Sequence, residues 1–160
     1  MRNKKILVVE DDADVRLGYH IRLKANGYDT FFAADALASM AEARKHQPDL
    51  IILDLGLPAG DGFIVMERLK AGTYLAVIPI IVVSARDRHQ NKERALKAGA
   101  KAFLQKPVDN DELLTVIRQV LGESTKPEKP EVMTRKTCND KPFLLRPGVF
   151  GTQWIRLQAW

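Results

Sequence analysis

The sequence predicts an α/β fold, a doubly wound five-stranded parallel sheet with helices on both faces. Three observations predict it. Short apolar runs occur at Ile6–Val9, Leu50–Leu53, Ile80–Val83 and Ala102–Leu104, with a weaker one at Thr30–Ala33. Three of these are nearly unbroken β-branched or Leu stretches, as strands buried on both faces of a parallel sheet read. A helical pattern follows each run, so a strand-helix unit repeats five times in about 120 residues. Such alternation implies parallel strands joined by right-handed crossovers.

The helices can be justified in order. From Ala13 to Asn26, Val15, Tyr19 and Leu23 recur at i, i+4 and i+8, and Gly27 supplies a left-handed stop. Asp35 can cap a second helix over Ala36–Lys45, rich in Ala, Leu and Met. The third spans Gly62–Ala71, with Phe63, Met66 and Leu69 apolar and Gly72 closing it. Asp87 opens a fourth through Arg94, Ala95 and Ala98, stopped by Gly99. Asp109-x-x-Glu112 resembles a capping box, and Leu113, Val116, Ile117 and Val120 form the apolar stripe of a fifth helix that ends at Gly122.

Composition narrows the function. The 160 residues are 46% hydrophobic, ordinary for a globular core. The longest uncharged apolar run, Leu75–Val83, is too short to span a membrane. Only four apolar residues follow the basic N-terminus before Glu10, so no secretory signal is expected. A single cysteine, Cys138, cannot form an internal disulfide or a cysteine-based metal site. A cytoplasmic location is expected. Residues 1–121 carry 18 Lys/Arg against 16 Asp/Glu, and residues 122–160 carry 7 against 4. Neither balance is basic enough to imply nucleic-acid binding.

In doubly wound sheets, ligands sit beyond the carboxyl ends of the strands. The first strand runs into Glu10, Asp11 and Asp12, the third into Asp54, the fourth into Ser84 and the fifth into Lys106-Pro107. These groups should meet on one rim. Clustered carboxylates repel and raise one another's pKa. A hard divalent cation such as Mg2+, which takes oxygen ligands, would offset this. Lys106 adds a fixed positive charge, so the rim suits a dianionic guest held between metal and ammonium, with Ser84 as a donor. Asp54 is the expected acceptor, since a carboxylate can attack phosphorus to give an acyl phosphate. His20, His46 and His89 fall on helices and are expected to face solvent. Singly, each group also has a plain structural use: Asp12 or Asp11 as a helix cap, Asp54 in a turn, Lys106 as an exposed lysine before a proline.

The segments KKILVVEDDADVR, PDLIILDLGLPAGDGF, IPIIVVSAR and GAKAFLQKPVDNDELL occur in an order and spacing that resemble the receiver domain of two-component response regulators, over residues 4–121. The resemblance implies a CheY-like, flavodoxin-like (β/α)5 fold with strand order 2-1-3-4-5 and a receiver domain over residues 1–122. It implies Asp54 as the phospho-accepting residue. Glu10, Asp11, Asp54 and the backbone carbonyl of Gly56 would then serve as the Mg2+ site, with Glu10 acting through water. Ser84 is implied as the switch hydroxyl, Lys106 as the lysine that contacts the phosphoryl group, and Phe103 as the switch aromatic. Pro107 follows the lysine where the family often has a cis peptide bond. The implied partner is a sensor histidine kinase or a histidine phosphotransfer protein. Phosphorylation would draw Ser84 toward the phosphoryl group, let Phe103 move inward and alter the face of the fourth helix, fifth strand and fifth helix, through which a homodimer could form. The chain would be a signalling receiver that catalyses only its own phosphorylation and dephosphorylation. Glu10 stands where the family commonly has Asp, and Phe103 lacks the hydroxyl of the commoner Tyr. Gly56 and Arg86 occupy positions that tune the phosphoryl lifetime in the family.

Residues 123–160 read as a linker, ESTKPEKPE, and a C-terminal extension. Three readings stand for it: a mostly unstructured extension, an anchor built on Trp154, Ile155, Leu157 and Trp160, or the end of a truncated or frame-altered longer protein. No helix-turn-helix, GGDEF-like or ATPase pattern is visible. Three competing functions follow: DNA binding by the basic tail, a small Asp-nucleophile phosphohydrolase, and a receiver fold used only as a scaffold. Gly56 stands where one phosphatase family has its second acid, and the intact acidic site argues against a mere scaffold.

Overall fold

The computed structural model describes residues 2–57 and 62–123, apart from the side chain of Arg88. The expectations for residues 124–160, including Cys138 and the aromatic tail, lie outside the described residues. The elements are β1 (Lys5–Val9), α1 (Ala13–Ala25), β2 (Asp29–Ala33), α2 (Ala36–His46), β3 (Leu50–Leu53), α3 (Gly62–Ala71), β4 (Ile80–Ser84), α4 (Arg88–Lys97), β5 (Ala102–Gln105) and α5 (Asn110–Leu121). All four strand pairings are parallel. The order is β2-β1-β3-β4-β5, as the resemblance implies.

Alternation along each strand splits the core in two. Leu7, Val9, Ile51, Leu53, Ile80, Val82 and Phe103 pack with residues of α2, α3 and α4. Ile6, Val8, Leu50, Ile52, Ile81, Val83 and Leu104 pack on the opposite side with Tyr19 and Leu23 of α1 and Leu113 and Ile117 of α5. A strand whose two faces are both buried has no polar position to spare, and all four residues of β3 are buried. Burying one Leu or Ile contributes about 1.5–3 kcal/mol.

The helix ends follow their caps. Asp12, Asp35, Asp87 and Asp109 each accept a backbone amide of the helix that follows. Gly27, Gly99 and Gly122 turn the chain with positive φ, at 80°, 98° and 70°. After α2 the left-handed position is Gln47, at φ 46°, which costs more than a glycine would there. Two histidines differ from expectation. His20 is half-buried, with Nδ1 2.6 Å from Thr30 Oγ1 and its ring edge-on to Phe32. His46 stacks on Phe31 at 3.8 Å and pairs with Glu42. Edge strand β2 is only partly covered, and both imidazoles pack on its phenylalanines; His89 is exposed, as expected. No helix among the described residues is long and apolar enough to cross a membrane.

Candidate functional site

The sheet register brings the candidate residues to one rim. Val9 pairs with Leu53, and Leu53 with Val82. The next residues after β1 and β3, Glu10 and Asp54, therefore emerge side by side. Ser84 pairs with Gln105, so Lys106 leaves the sheet beside the loop after β4. Lys106 is preceded by Ser84 in the hydrogen-bond ladder, its amide donating to the Ser84 carbonyl at 3.0 Å. The Lys106–Pro107 peptide is cis.

The side chains converge as expected. Lys106 Nζ donates to Glu10 Oε2 at 2.6 Å and to Asp54 Oδ2 at 2.7 Å. Asp54 Oδ1 accepts the Gly56 amide at 2.8 Å. Carboxylate oxygens of Glu10, Asp11 and Asp54 lie within 4.8 Å of one another, with Glu10 and Asp54 buried and Asp11 exposed. Three hard oxygen donors around one point form a set able to hold a metal ion. Gly56 is exposed beside the group, and a Cβ there would sit 3.3 Å from Asp54 Oδ1. The backbone at position 56 thus borders the carboxylate directly.

The electrostatics favour a cationic guest. Burial pushes the Glu10 carboxyl above its ordinary 4.5, and the Asp54 charge adds to this, against the hydrogen bond and charge of Lys106. Burial alone would lower the Lys106 pKa, but its bonds to Asp54 and Glu10 and their charges outweigh it and hold the ammonium above 10.5. One ammonium facing two buried carboxylates cannot neutralise both. A net negative charge remains for a cation to balance.

Ser84 is fully buried, and its Oγ accepts the Arg86 amide at 3.2 Å. Phe103 is 6% exposed and packs in the core with Ala95 and Ala100. The ring expected to move inward on phosphorylation is thus buried in this structure. A phenyl ring brings no hydroxyl to desolvate, so burial is favourable without a partner.

Three residues around the site escape a side-chain reading of the sequence. Gly62 is one: a Cβ there would meet the Asp54 carbonyl oxygen and Leu55 Cα, both at 2.7 Å. Gln105 is another, its Nε2 donating to the Ala85 carbonyl at 3.2 Å. The third is Arg16, whose Nη1 reaches back to the carbonyls of Glu10 and Asp11. Its place one turn into α1 was a usable signal, because helical side chains run toward the N-terminus.

The Response regulator receiver domain model matches residues 6–118. The DNA-binding dual master transcriptional regulator RpaA of Synechocystis is 34% identical over 151 residues, covering 94% of this chain and 62% of RpaA. The chain thus spans about three fifths of that regulator's length. The polar-differentiation response regulator DivK of Brucella anthropi is 31% identical over 121 residues, which cover 76% of this chain and 98% of DivK. Among solved structures, the receiver domain of the sensor histidine kinase PA1611 of Pseudomonas aeruginosa, with a magnesium ion coordinated in its active site cleft, has a TM-score of 0.69 at 27% identity. It covers 76% of this chain and 99% of that one. With the family model spanning most of the chain and the acid-lysine rim in place, this protein belongs to the response regulator receiver family of two-component signalling systems.

Proposed function

We propose that this chain accepts a phosphoryl group on Asp54 and signals by changing a protein-binding face. The observation that carries the reading is the meeting of Lys106 with Asp54 at 2.7 Å and Glu10 at 2.6 Å beside Asp11. An oxygen of Asp54 attacks phosphorus, the P–N bond of a phosphohistidine breaks, and the histidine nitrogen takes up a proton. The donor is a sensor histidine kinase or a histidine phosphotransfer protein. Lys106 offsets the charge gathered on the phosphoryl oxygens, and Ser84 donates to one of them. Glu10, Asp11, Asp54 and the Gly56 carbonyl would hold Mg2+, Glu10 through water. When bound, the ion supplies hard positive charge opposite the ammonium. The receiver promotes only its own phosphorylation and dephosphorylation, and acts in the cytoplasm. The output face comprises α4, β5 and α5, where new charge-assisted contacts shift the population between two packings and a homodimer can form.

Acetyl phosphate with Mg2+ tests this. Wild type should gain a base-labile adduct, and Asp54→Ala should not. No adduct on wild type, where a control receiver labels, would overturn the reading. Phosphotransfer profiling against the host's kinases would then identify the donor.

A second reading is favoured by the alignment with RpaA, which reaches beyond the receiver to 94% of this chain. On that reading the phosphorylated receiver governs binding to DNA. A gel-shift series across salt concentrations tests it, because contacts to DNA phosphates give a steep salt dependence.

A further inference from the structure

Asp11 differs from its two partners in the acidic trio. Glu10 and Asp54 are buried and bonded to Lys106. Asp11 is exposed and stands on the short connection between β1 and α1. A carboxylate there keeps a fixed position only if its backbone is fixed. The two ends of the connection are tied. The Glu10 amide donates to the Ala33 carbonyl at 3.0 Å, and Asp12 Oδ1 accepts the Asp14 and Val15 amides at 2.8 and 3.1 Å.

The middle is tied by one nitrogen. Arg16 Nη1 donates to the Glu10 carbonyl at 2.7 Å and to the Asp11 carbonyl at 2.8 Å. Both bonds are short and charge-assisted, the stronger class of hydrogen bond. A guanidinium nitrogen carries its two hydrogens at a fixed angle in a rigid plane. Two consecutive carbonyls held by it cannot rotate independently. Arg16 is half-buried, and its own amide bonds the Asp12 carbonyl at 3.0 Å, so the clamp and its target share one anchor.

We infer that Arg16 is a positioning residue that preorganises Glu10 and Asp11 for a divalent cation. The inference rests on the proposed metal site. Arg16 touches neither metal nor phosphoryl group. It fixes the backbone that carries two of the acids, so less freedom is lost when the cation binds. Groups that orient ligands in this way typically change metal affinity about 10–100-fold when removed.

The test is calorimetric titration of the metal-free full chain with Mg2+, alongside thermal melts in EDTA. The proteins are wild type, Arg16→Ala, Arg16→Lys and Asp49→Ala. Asp49 accepts the Lys5 amide at 2.9 Å and Arg2 Nη2 at 3.0 Å, at the opposite end of the sheet. Its loss reports what general destabilisation does. Arg16→Ala should weaken Mg2+ binding about tenfold or more. Arg16→Lys should recover part of this, since it keeps charge and donors but not the planar fork. Asp49→Ala should lower the melting temperature and leave Mg2+ affinity within about twofold of wild type, because it touches no group of the site. Unchanged affinity in Arg16→Ala overturns the inference and leaves the site reading intact. No Mg2+ binding by wild type overturns that reading and the inference with it. If Arg16→Ala does not fold, Arg16→Lys decides: a several-fold loss supports the inference, and wild-type affinity overturns it.

Discussion

Lys106 and Asp54 stand 52 residues apart in sequence and 2.7 Å apart in space. The same ammonium reaches Glu10 at 2.6 Å, so it is the counter-charge for two buried acids from two other strands. Its removal should therefore be read in stability as well as in chemistry. Lys106→Met should cost roughly 2–3 kcal/mol at neutral pH, below the usual range for a fully buried pair because the lysine is partly exposed. The pH dependence has a definite sign. Glu10 already titrates above 4.5 in the folded chain because of burial, and without Lys106 it should titrate higher still. A carboxyl raised on folding contributes stability that is complete below its unfolded pKa and lost as pH rises through its folded pKa. The gap between variant and wild type should widen from acid to neutral pH. Urea melts in EDTA at several pH values would check this, and a gap independent of pH would deny Lys106 the counter-charge role.

A second prediction concerns the end of α5. The Tyr28 hydroxyl donates to Glu123 Oε2 at 2.6 Å, and the Glu123 amide bonds the Arg118 carbonyl at 2.8 Å. Burial, reinforced by the hydrogen bond to Glu123, pushes Tyr28 up to about 12. A tyrosine raised on folding adds stability below its unfolded value of 10.0 that is lost as pH climbs through its folded value. Tyr28→Phe should cost about 1–2 kcal/mol at neutral pH, and the penalty should shrink between pH 10 and about 12. Denaturant melts across that window, with phenolate absorbance, measure both. A penalty that persists unchanged above pH 12 would show that the hydroxyl bond is not its source.

The strands were legible because burial on both sides leaves continuous apolar runs. Leu50–Leu53 is the plainest case, with all four side chains buried. The weakest run, Thr30–Ala33, is an edge strand, where only Ala33 is buried. That half-cover also explains the misread histidines. A helix pattern alone does not reveal that Phe31 and Phe32 offer ring faces to His46 and His20. The carboxylates and Lys106 were legible because each stands within two residues of the end of an apolar run, so topology alone brings them together. Gly62 was not, and Arg16 only through its place one turn into α1, because each acts on backbone atoms. A clamp on two carbonyls and a position where a Cβ would strike a carbonyl leave no pattern of charge or hydropathy.

Two glycines beside Asp54 should respond differently to alanine. At Gly62 the added Cβ meets backbone, the Asp54 oxygen and Leu55 Cα at 2.7 Å. Neither can move without shifting β3 or α3, so Gly62→Ala should cost about 1–3 kcal/mol, the range for overpacking. At Gly56 the nearest atom is Asp54 Oδ1 at 3.3 Å, the tip of a side chain at an exposed position. Gly56→Ala should stay within about 0.5 kcal/mol of wild type, as surface changes usually do. Equilibrium denaturation of the pair decides it, and equal losses would mean that the approach of α3 to β3 is not what requires Gly62.

The last prediction concerns how phosphorylation of Asp54 would be felt beyond the rim. Two of the bonds on the loop after β4 are that of the Arg86 amide, which donates to Ser84 Oγ at 3.2 Å, and that of Gln105, which donates to the Ala85 carbonyl at 3.2 Å. The Ser84 hydroxyl can donate its proton to a phosphoryl oxygen while its oxygen still accepts the Arg86 amide, so the two bonds together would link the loop to the phosphoryl group. A movement of Ser84 toward the phosphoryl group would then carry the loop with it through the Arg86 amide. Ser84→Ala removes that link. It should still be labelled on Asp54 by acetyl phosphate, since the attacking oxygen and Lys106 are untouched. Its stability should change by about 1 kcal/mol or less, the worth of one ordinary hydrogen bond. The amide resonances of Ala85 and Arg86 should move less on phosphorylation than in wild type, while those near Gly56 should move as much. Phe103 is already buried, so a fluorinated phenylalanine there should report little change in either protein. Full-size shifts at Ala85 and Arg86 in Ser84→Ala would remove the hydroxyl from the switch and leave the charge at Asp54 as the driving change.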